Sequence, residues 1–150
     1  MEAKHSSLEN FSESHSQIKF DLILSNPPYF ETNYKSTKPR NVYAKYTDSL
    51  NYEFLVKTSA KHLEENGILA LVLPYDDLEK ILSIGSHHNL HLNRQLTLFS
   101  RPHKKPLRVL LEFSKTGVDK LEIKSLCIKD RDDEYTDGYK EYLKDYYTIF

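Results

Sequence analysis

The first half of the chain places two continuous apolar runs on either side of a segment with helical spacing. Lys19–Ser25 and residues 67–74, GILALVLP, are short apolar runs ended by turn residues. This pattern is typical of strands that are buried on both faces. Between them, apolar positions at helical spacing predict a helix over 50–64. The order strand, helix, strand indicates a parallel pair and an α/β fold.

Turn and capping residues set the expected limits of these helices. Asp48 or Ser49 can cap the first helix, and the pair Asn66-Gly67 is expected to stop it. Residues 31–47 are polar and basic and are interpreted as a loop. A second helix is expected to begin at Asp76-Asp77 and to run to about residue 86.

The second half predicts three further strands and a terminal helix. The strands are expected at Leu90–Ser100, Arg108–Ser114 and Leu121–Ile128. The short connection over residues 101–107, RPHKKPL, favours an antiparallel hairpin between the first two. The tail DGYKEYLKDYYTIF carries aromatic residues at helical spacing.

Bulk composition excludes several classes of protein. The chain has 150 residues, a net charge of −1 and one cysteine, Cys127. Its length fits one domain or part of a larger one. The balanced charge argues against nucleic-acid binding by the whole surface but permits local basic patches. No apolar run is long enough to span a membrane, no signal segment is evident, and a reducing, cytoplasmic setting is expected.

The strand at Lys19–Ser25 runs directly into Asn26-Pro27-Pro28-Tyr29, and this junction is the candidate active site. Ligands of open parallel sheets bind at the carboxyl ends of strands. The prolines form a stiff elbow that lacks N–H donors. The Asn26 amide oxygen and the Pro27 carbonyl can each accept one hydrogen of a planar NH₂ group, and Tyr29 offers a ring for stacking. Such contacts expose the lone pair of an aromatic amine and hold it in line with a reactive methyl group.

An apolar strand that ends in NPPY resembles motif IV of the S-adenosylmethionine-dependent class I amino-methyltransferases. The longer match NPPYFE, over Asn26–Glu31, is similar to the bacterial tRNA(Val) adenine-37 N6-methyltransferase family. RVLLEFSK at 108–115 and the tyrosine-rich tail support this resemblance. It implies catalytic roles for Asn26, Pro27, Pro28 and Tyr29, S-adenosylmethionine as cofactor with Asn26 beside it, and tRNA as substrate.

The resemblance covers only the carboxyl-terminal half of that Rossmann-like fold. Its spatial strand order is 3-2-1-4-5-7-6, and strands 4 to 7, with strand 7 antiparallel, would be present here together with a further strand and helix. None of the four glycines forms the G-x-G turn that grips the cofactor. Residues 1–150 are therefore expected to be one partial methyltransferase domain without the cofactor-binding strands, with residues 1–18 as a polar lead-in. Alone it is expected to be inactive.

Two stretches without acidic residues are candidates for RNA phosphate binding. One holds Lys35, Lys38, Arg40 and Lys45, and the other holds Arg101, Lys104 and Lys105. For both, a solvated loop is the competing interpretation. His87, His88 and His91 have no suitably spaced partner ligands, and no metal site is expected.

Other functions remain open at this point. NPPY also occurs in methyltransferases of release-factor glutamine and of ribosomal-RNA guanine N2, which likewise act on a planar NH₂. A non-enzymatic half-domain that binds RNA or pairs with itself is the alternative from another class. Without strands 1 to 3, the strand at residues 20–25 would be an apolar edge, which favours self-association.

Overall fold

Ten elements follow the predicted strand–helix order. The computed structural model describes residues 3–27 and 42–146, and the side chains of the second range from residue 52 onward. Three helices and one short turn alternate with the strands before a final helix. The helices are α1 (Leu8–Ser14), α2 (Val42–His62), α3 (Leu78–His87) and α4 (Asp137–Leu143), with a 3-10 turn at Tyr75–Asp77. The strands are β1 (Phe20–Ser25), β2 (Leu63–Pro74), β3 (His91–Phe99), β4 (Pro106–Ser114) and β5 (Glu122–Cys127).

The five strands form one sheet in the order β1-β2-β4-β3-β5. β1 is parallel to β2, β4 is antiparallel to both β2 and β3, and β5 is parallel to β3. The first four strands therefore reproduce the order 4-5-7-6, with strand 7 antiparallel. This confirms the predicted half-sheet, together with the additional strand and helix at the carboxyl end.

The core lies between one face of the sheet and helices α2 and α3. Leu69, Leu71 and Leu73 of β2 alternate with less buried neighbours, and all three are 0 or 1% exposed. They pack with Val56 of α2 and Ile81 of α3 in one buried cluster. The strict alternation along β2 shows that only one of its two faces is buried, since successive strand side chains point to opposite sides.

Helix α2 differs from its predicted limits at both ends. It begins at Val42, so residues 42–47 are helical and neither Asp48 nor Ser49 is its cap. It ends at His62, and the strand begins at Leu63 without an intervening loop. The predicted stop at Asn66-Gly67 is wrong: no described glycine has a positive φ. The rest of the predicted loop, residues 31–41, lies outside the described residues.

The two amino-terminal predictions also need correction. β1 was expected to be buried on both faces, but it is an edge strand with Leu22 59% and Leu24 71% exposed. The polar lead-in contains helix α1, whose cap Ser7 accepts a hydrogen bond from the Asn10 N–H at 3.1 Å. A single side-chain cap suffices to start such a short helix.

Side chains close the amino-terminal ends of the parallel strands, here called the amino edge. His62 is 2% exposed, and its Nδ1 lies 2.8 Å from the Ile18 carbonyl while Nε2 lies 3.1 Å from Ser12 Oγ. Lys115 donates to the Leu63 carbonyl at 2.7 Å, and Lys19 donates to a carbonyl at the end of α2. These bonds satisfy carbonyls where α2 passes directly into β2.

Candidate functional site

Four strands deliver their carboxyl ends to one edge of the sheet, here called the carboxyl edge. β1, β2, β3 and β5 all run in the same direction because β4 alone is antiparallel to its neighbours. The segments that follow them are 26–27, 75–77, 100–105 and 128–136. Binding sites of open α/β sheets form at such an edge, so these four segments are the candidate site.

Asn26 and Pro27 lie where the sequence predicted, immediately after β1. Asn26 is exposed, whereas Pro27 is buried. Ser25 is in register with Leu71 of β2, so Asn26 follows at the level of the last residues of β2. A buried proline fixes the chain as it leaves the strand, and this leaves the amide of Asn26 on the accessible side of the edge. Pro28 and Tyr29 lie outside the described residues.

The turn after β2 contributes residues that the sequence interpretation missed. Asp77 was expected only to cap α3, yet its side chain makes no capping bond. Instead Asp77 Oδ2 accepts a hydrogen bond from the Tyr52 hydroxyl at 3.0 Å, and Lys80 Nζ lies 5.2 Å from the Tyr52 ring centroid. This bond ties α2 to the carboxyl edge. The available signal was the position of Asp76-Asp77 directly behind a buried parallel strand.

The second predicted basic stretch also reaches the carboxyl edge. Its loop joins β3 to β4, two to three strand positions from β1, or about 10–15 Å at the usual spacing between strands. Lys104 and Lys105 are exposed, and within the described part of the chain no ion pair involves either side chain. Arg101 is instead held by Asp133 at 2.5 Å. Two of the three predicted cations therefore remain available to a phosphate.

Asp133 reduces the positive charge of this edge. Lys129 lies 3.1 Å from the same carboxylate oxygen that Arg101 contacts. Hydrogen bonds from Lys129 and Arg101 hold the pKa of Asp133 below its ordinary value. The carboxylate consequently stays charged at neutral pH and offsets part of the basic loop.

The first predicted basic stretch is placed only in part. Lys35, Lys38 and Arg40 lie outside the described residues. Lys45 belongs to α2 instead of a loop, and its side chain is not among those described.

The described residues do not by themselves form a grip for a nucleotide-like cofactor. Such grips place a glycine-rich turn at a helix start. Gly67 lies within β2, and Gly85 lies within α3 against Phe113. Gly117 and Gly138 are isolated, and no described glycine takes a positive φ. Only Asn26, at the rim of the carboxyl edge, matches a residue that the resemblance places beside the cofactor.

Two searches of the described residues complete the survey of the site. Within residues 3–27 and 42–146, no three His, Cys, Asp or Glu side chains are grouped so that they could hold a metal ion. No helix among them is long and apolar enough to cross a membrane.

Comparison with known proteins gives the context of this half-sheet. The family model described as "Eco57I restriction-modification methylase" matches residues 1–91. A curated relative from Phocaeicola vulgatus, named tRNA1(Val) (adenine(37)-N6)-methyltransferase, is 36% identical over 133 residues, which are 88% of this chain and 56% of the relative. A relative of the same name from Flavobacterium johnsoniae is 30% identical over 143 residues, 95% of this chain and 60% of its own.

Solved structures confirm the fold. A predicted O-methyltransferase from Agrobacterium tumefaciens superposes with a TM-score of 0.63 at 14% identity, over 90% of this chain and 56% of that one. A putative DNA modification methylase from Thermus thermophilus gives a TM-score of 0.54 at 12% identity, over 91% and 57%. This chain thus spans a little over half the length of the relatives and structures that it matches.

Proposed function

This chain belongs to the Eco57I restriction-modification methylase family, and from that membership we propose that it forms the acceptor-side part of a tRNA adenine-N6-methyltransferase. Curated relatives with 30 and 36% identity carry the name of that activity. The observation on which the proposal rests is the place of Asn26-Pro27, at the carboxyl end of a strand that pairs in parallel with β2.

Asn26 acts on the amine that receives the methyl group. Its side-chain oxygen accepts one hydrogen of the adenine N6 amine, and the Pro27 carbonyl accepts the other. These two acceptors orient the nitrogen and draw its lone pair out of the ring plane. The amine is neutral, so no strong base is required before attack, and the proton leaves after the new N–C bond has formed.

S-adenosylmethionine is the proposed methyl donor. One structural neighbour, with a TM-score of 0.51 at 12% identity, was solved as a complex with this cofactor. The described residues supply only the acceptor rim of such a site, so the grip on the cofactor has to come from outside them. The contribution of Asn26 is therefore positioning of the acceptor amine, independent of which residues hold the cofactor.

A tRNA partner fits the charge of the carboxyl edge. Lys104 and Lys105 are exposed on the loop after β3, and phosphate contacts supply most of the affinity for nucleic acid. The proposed RNA surface also includes Lys35, Lys38, Arg40 and Lys45 on the segment that follows Asn26. Because tRNA is the substrate, we place the protein in the cytoplasm.

The edge of β1 supports a further proposed property. Leu22 and Leu24 are exposed on a strand that has a single neighbour in the sheet. No charge follows Asp21 within the strand, so the usual protection of an edge is absent. Two copies of the isolated chain can pair through this edge, which gives concentration-dependent self-association.

A chimera tests the assignment of Asn26. The part of the Phocaeicola vulgatus relative that this chain does not match is fused ahead of residues 1–150, and transfer of a labelled methyl group to tRNA is measured. Asn26→Ala should lower kcat on the order of 100-fold, as expected for loss of one hydrogen-bond partner in the transition state. The Kd for tRNA should change little. Near-normal turnover would show that Asn26 does not hold the amine.

The matched control is Asn66→Ala. Asn66 is also an exposed asparagine beside a strand, but it lies near the amino-terminal end of β2. Its replacement should leave kcat unchanged. A folded chimera that binds tRNA yet transfers no methyl group would contradict the proposed activity as a whole.

A further inference from the structure

The two faces of the sheet are covered very unequally. One face packs against α2 and α3, whereas the opposite face carries an open hollow of about 370 Å³. Apolar side chains from four adjacent strands line this hollow, and we call them the open face: Leu24, Ala70, Val72, Leu96 and Leu110. Strand register explains their alignment, since Leu24 pairs with Ala70, and Leu110 pairs with both Val72 and Leu96.

A row of charges bounds the open face on the side away from β1. Arg94 contacts Glu112 at 3.1 Å and Glu122 at 2.7 Å, and Lys124 contacts Glu122 at 2.5 Å. Hydrogen bonds from Lys124 and Arg94 hold the pKa of Glu122 below its ordinary value. These groups satisfy one another within the sheet, so they require no charged partner. Tyr142 of α4 closes the hollow beyond them.

The side toward β1 has no such boundary. Leu24 is 71% exposed, and the hollow continues without interruption to the free edge of that strand. β1 and β2 are a parallel pair, and parallel strands are normally covered on both faces because polar backbone and apolar side chains there both need partners. The open face and the free edge of β1 therefore form one continuous, largely apolar surface.

We propose that this surface receives the amino-terminal half of a methyltransferase fold, which adds a strand to β1 and packs an apolar helix face on the open face. The length of the fold supports this occupant: the chain matches 88 to 95% of itself but only 56 to 60% of its relatives. The Agrobacterium tumefaciens structure likewise extends well beyond the 56% that is shared. The remaining part of that fold is large enough to supply both a strand and a covering helix.

A second copy of this chain fits the surface less well. Two copies that pair β1 with β1 about a twofold axis perpendicular to the sheet keep α2 and α3 on the same side. The apolar open face then stays in water in both copies. A complementary half that brings a strand and a helix covers the edge and the face together, and this holds whatever the substrate of the complete enzyme is.

Complementation in solution tests the proposal without any measurement of activity. The probe is the part of the Phocaeicola vulgatus relative that this chain does not match, made as a labelled soluble fusion and titrated with residues 1–150. We expect saturable one-to-one binding and protection of the β1 amides from hydrogen exchange. Leu24→Glu and Val72→Glu should each raise the Kd on the order of tenfold or more, because each places a charge in the apolar interface.

Ile123→Glu is the matched control. Ile123 is 62% exposed, comparable to Leu24, but it alternates with Glu122 and Lys124 and so points to the other face of the sheet. Its Kd should equal that of the unchanged chain, and urea midpoints identify any variant that is merely unfolded. The proposal is overturned if the unchanged chain does not bind the probe, if Leu24→Glu and Val72→Glu bind as well as Ile123→Glu, or if a dimer of this chain persists at saturating probe.

Discussion

Gly85→Ala tests how closely α3 approaches the sheet. A Cβ atom at residue 85 would lie 2.9 Å from Cε1 and 3.3 Å from Cδ1 of Phe113. Phe113 is 2% exposed in the middle of the core, on a strand with neighbours on both sides. The ring therefore has no free space into which it can move, and the added methyl group has to push the helix away from β4.

Two opposing effects set the size of the change. Alanine is favoured over glycine within a helix by about 1 kcal/mol. Overpacking of a well-filled core costs about 1–3 kcal/mol. The steric effect should prevail, because a 2.9 Å approach is closer than ordinary van der Waals contact. We expect the free energy of unfolding of Gly85→Ala to fall by about 1 kcal/mol.

Urea denaturation followed by circular dichroism measures this difference. Ser83→Ala is the control, since Ser83 is exposed on the same helix and its replacement should not lower stability. The pair Gly85→Ala with Phe113→Leu should show a favourable coupling of at least about 0.5 kcal/mol, because the smaller side chain makes room for the methyl group. If Gly85→Ala instead raised stability by about 1 kcal/mol, the full helical preference for alanine, the close approach of α3 to Phe113 would be refuted.

Three further outcomes can be measured on the same material. Glu122 and Asp133 have lowered pKa values in the folded chain, so their stabilising effect is present above the ordinary carboxylate pKa and is lost as pH falls through the lowered one. Glu122→Gln should therefore flatten the loss of stability seen in urea titrations below about pH 4.5; an unchanged pH profile would contradict this. In the chimera, replacing Lys104 and Lys105 by Ala should weaken tRNA binding and lower its log–log salt slope by roughly 0.7–0.9 per lost phosphate contact; an unaltered slope would exclude both residues. Light scattering of residues 1–150 alone should show mass rising with concentration, and a strict monomer would argue against pairing through β1.

The strands could be predicted from the sequence because their apolar runs have few competing interpretations. The run over residues 67–74 can only be buried, and the structure extends it back to Leu63. That extension was hidden since Leu63-Glu64-Glu65 are good helix formers and Asn66-Gly67 is a common stop, yet pairing with β1 and β4 prevails over these local preferences. Local propensity decides helix ends only where no strand partner competes.

The site was predictable in position but not in its contacts. Asn26 could be placed at the carboxyl edge because a parallel strand has to end there. The bond from Tyr52 to Asp77 joins residues 25 apart, and the pair of Arg101 with Asp133 joins residues 32 apart. Such pairs depend on how two loops meet in space, and no periodicity in the sequence encodes that meeting.

The amino edge has a consequence for how this domain can change during evolution. His62, Lys115 and Lys19 fasten backbone carbonyls there with their own side chains, far from the loops that follow the carboxyl ends of the strands. Mutations in residues 100–105 and 128–136 therefore do not loosen these fastenings. Substrate preference can drift through loop replacement at one end of the sheet while the other end preserves foldability. The same separation makes the loop between β3 and β4 the natural place for a randomised library aimed at new RNA targets.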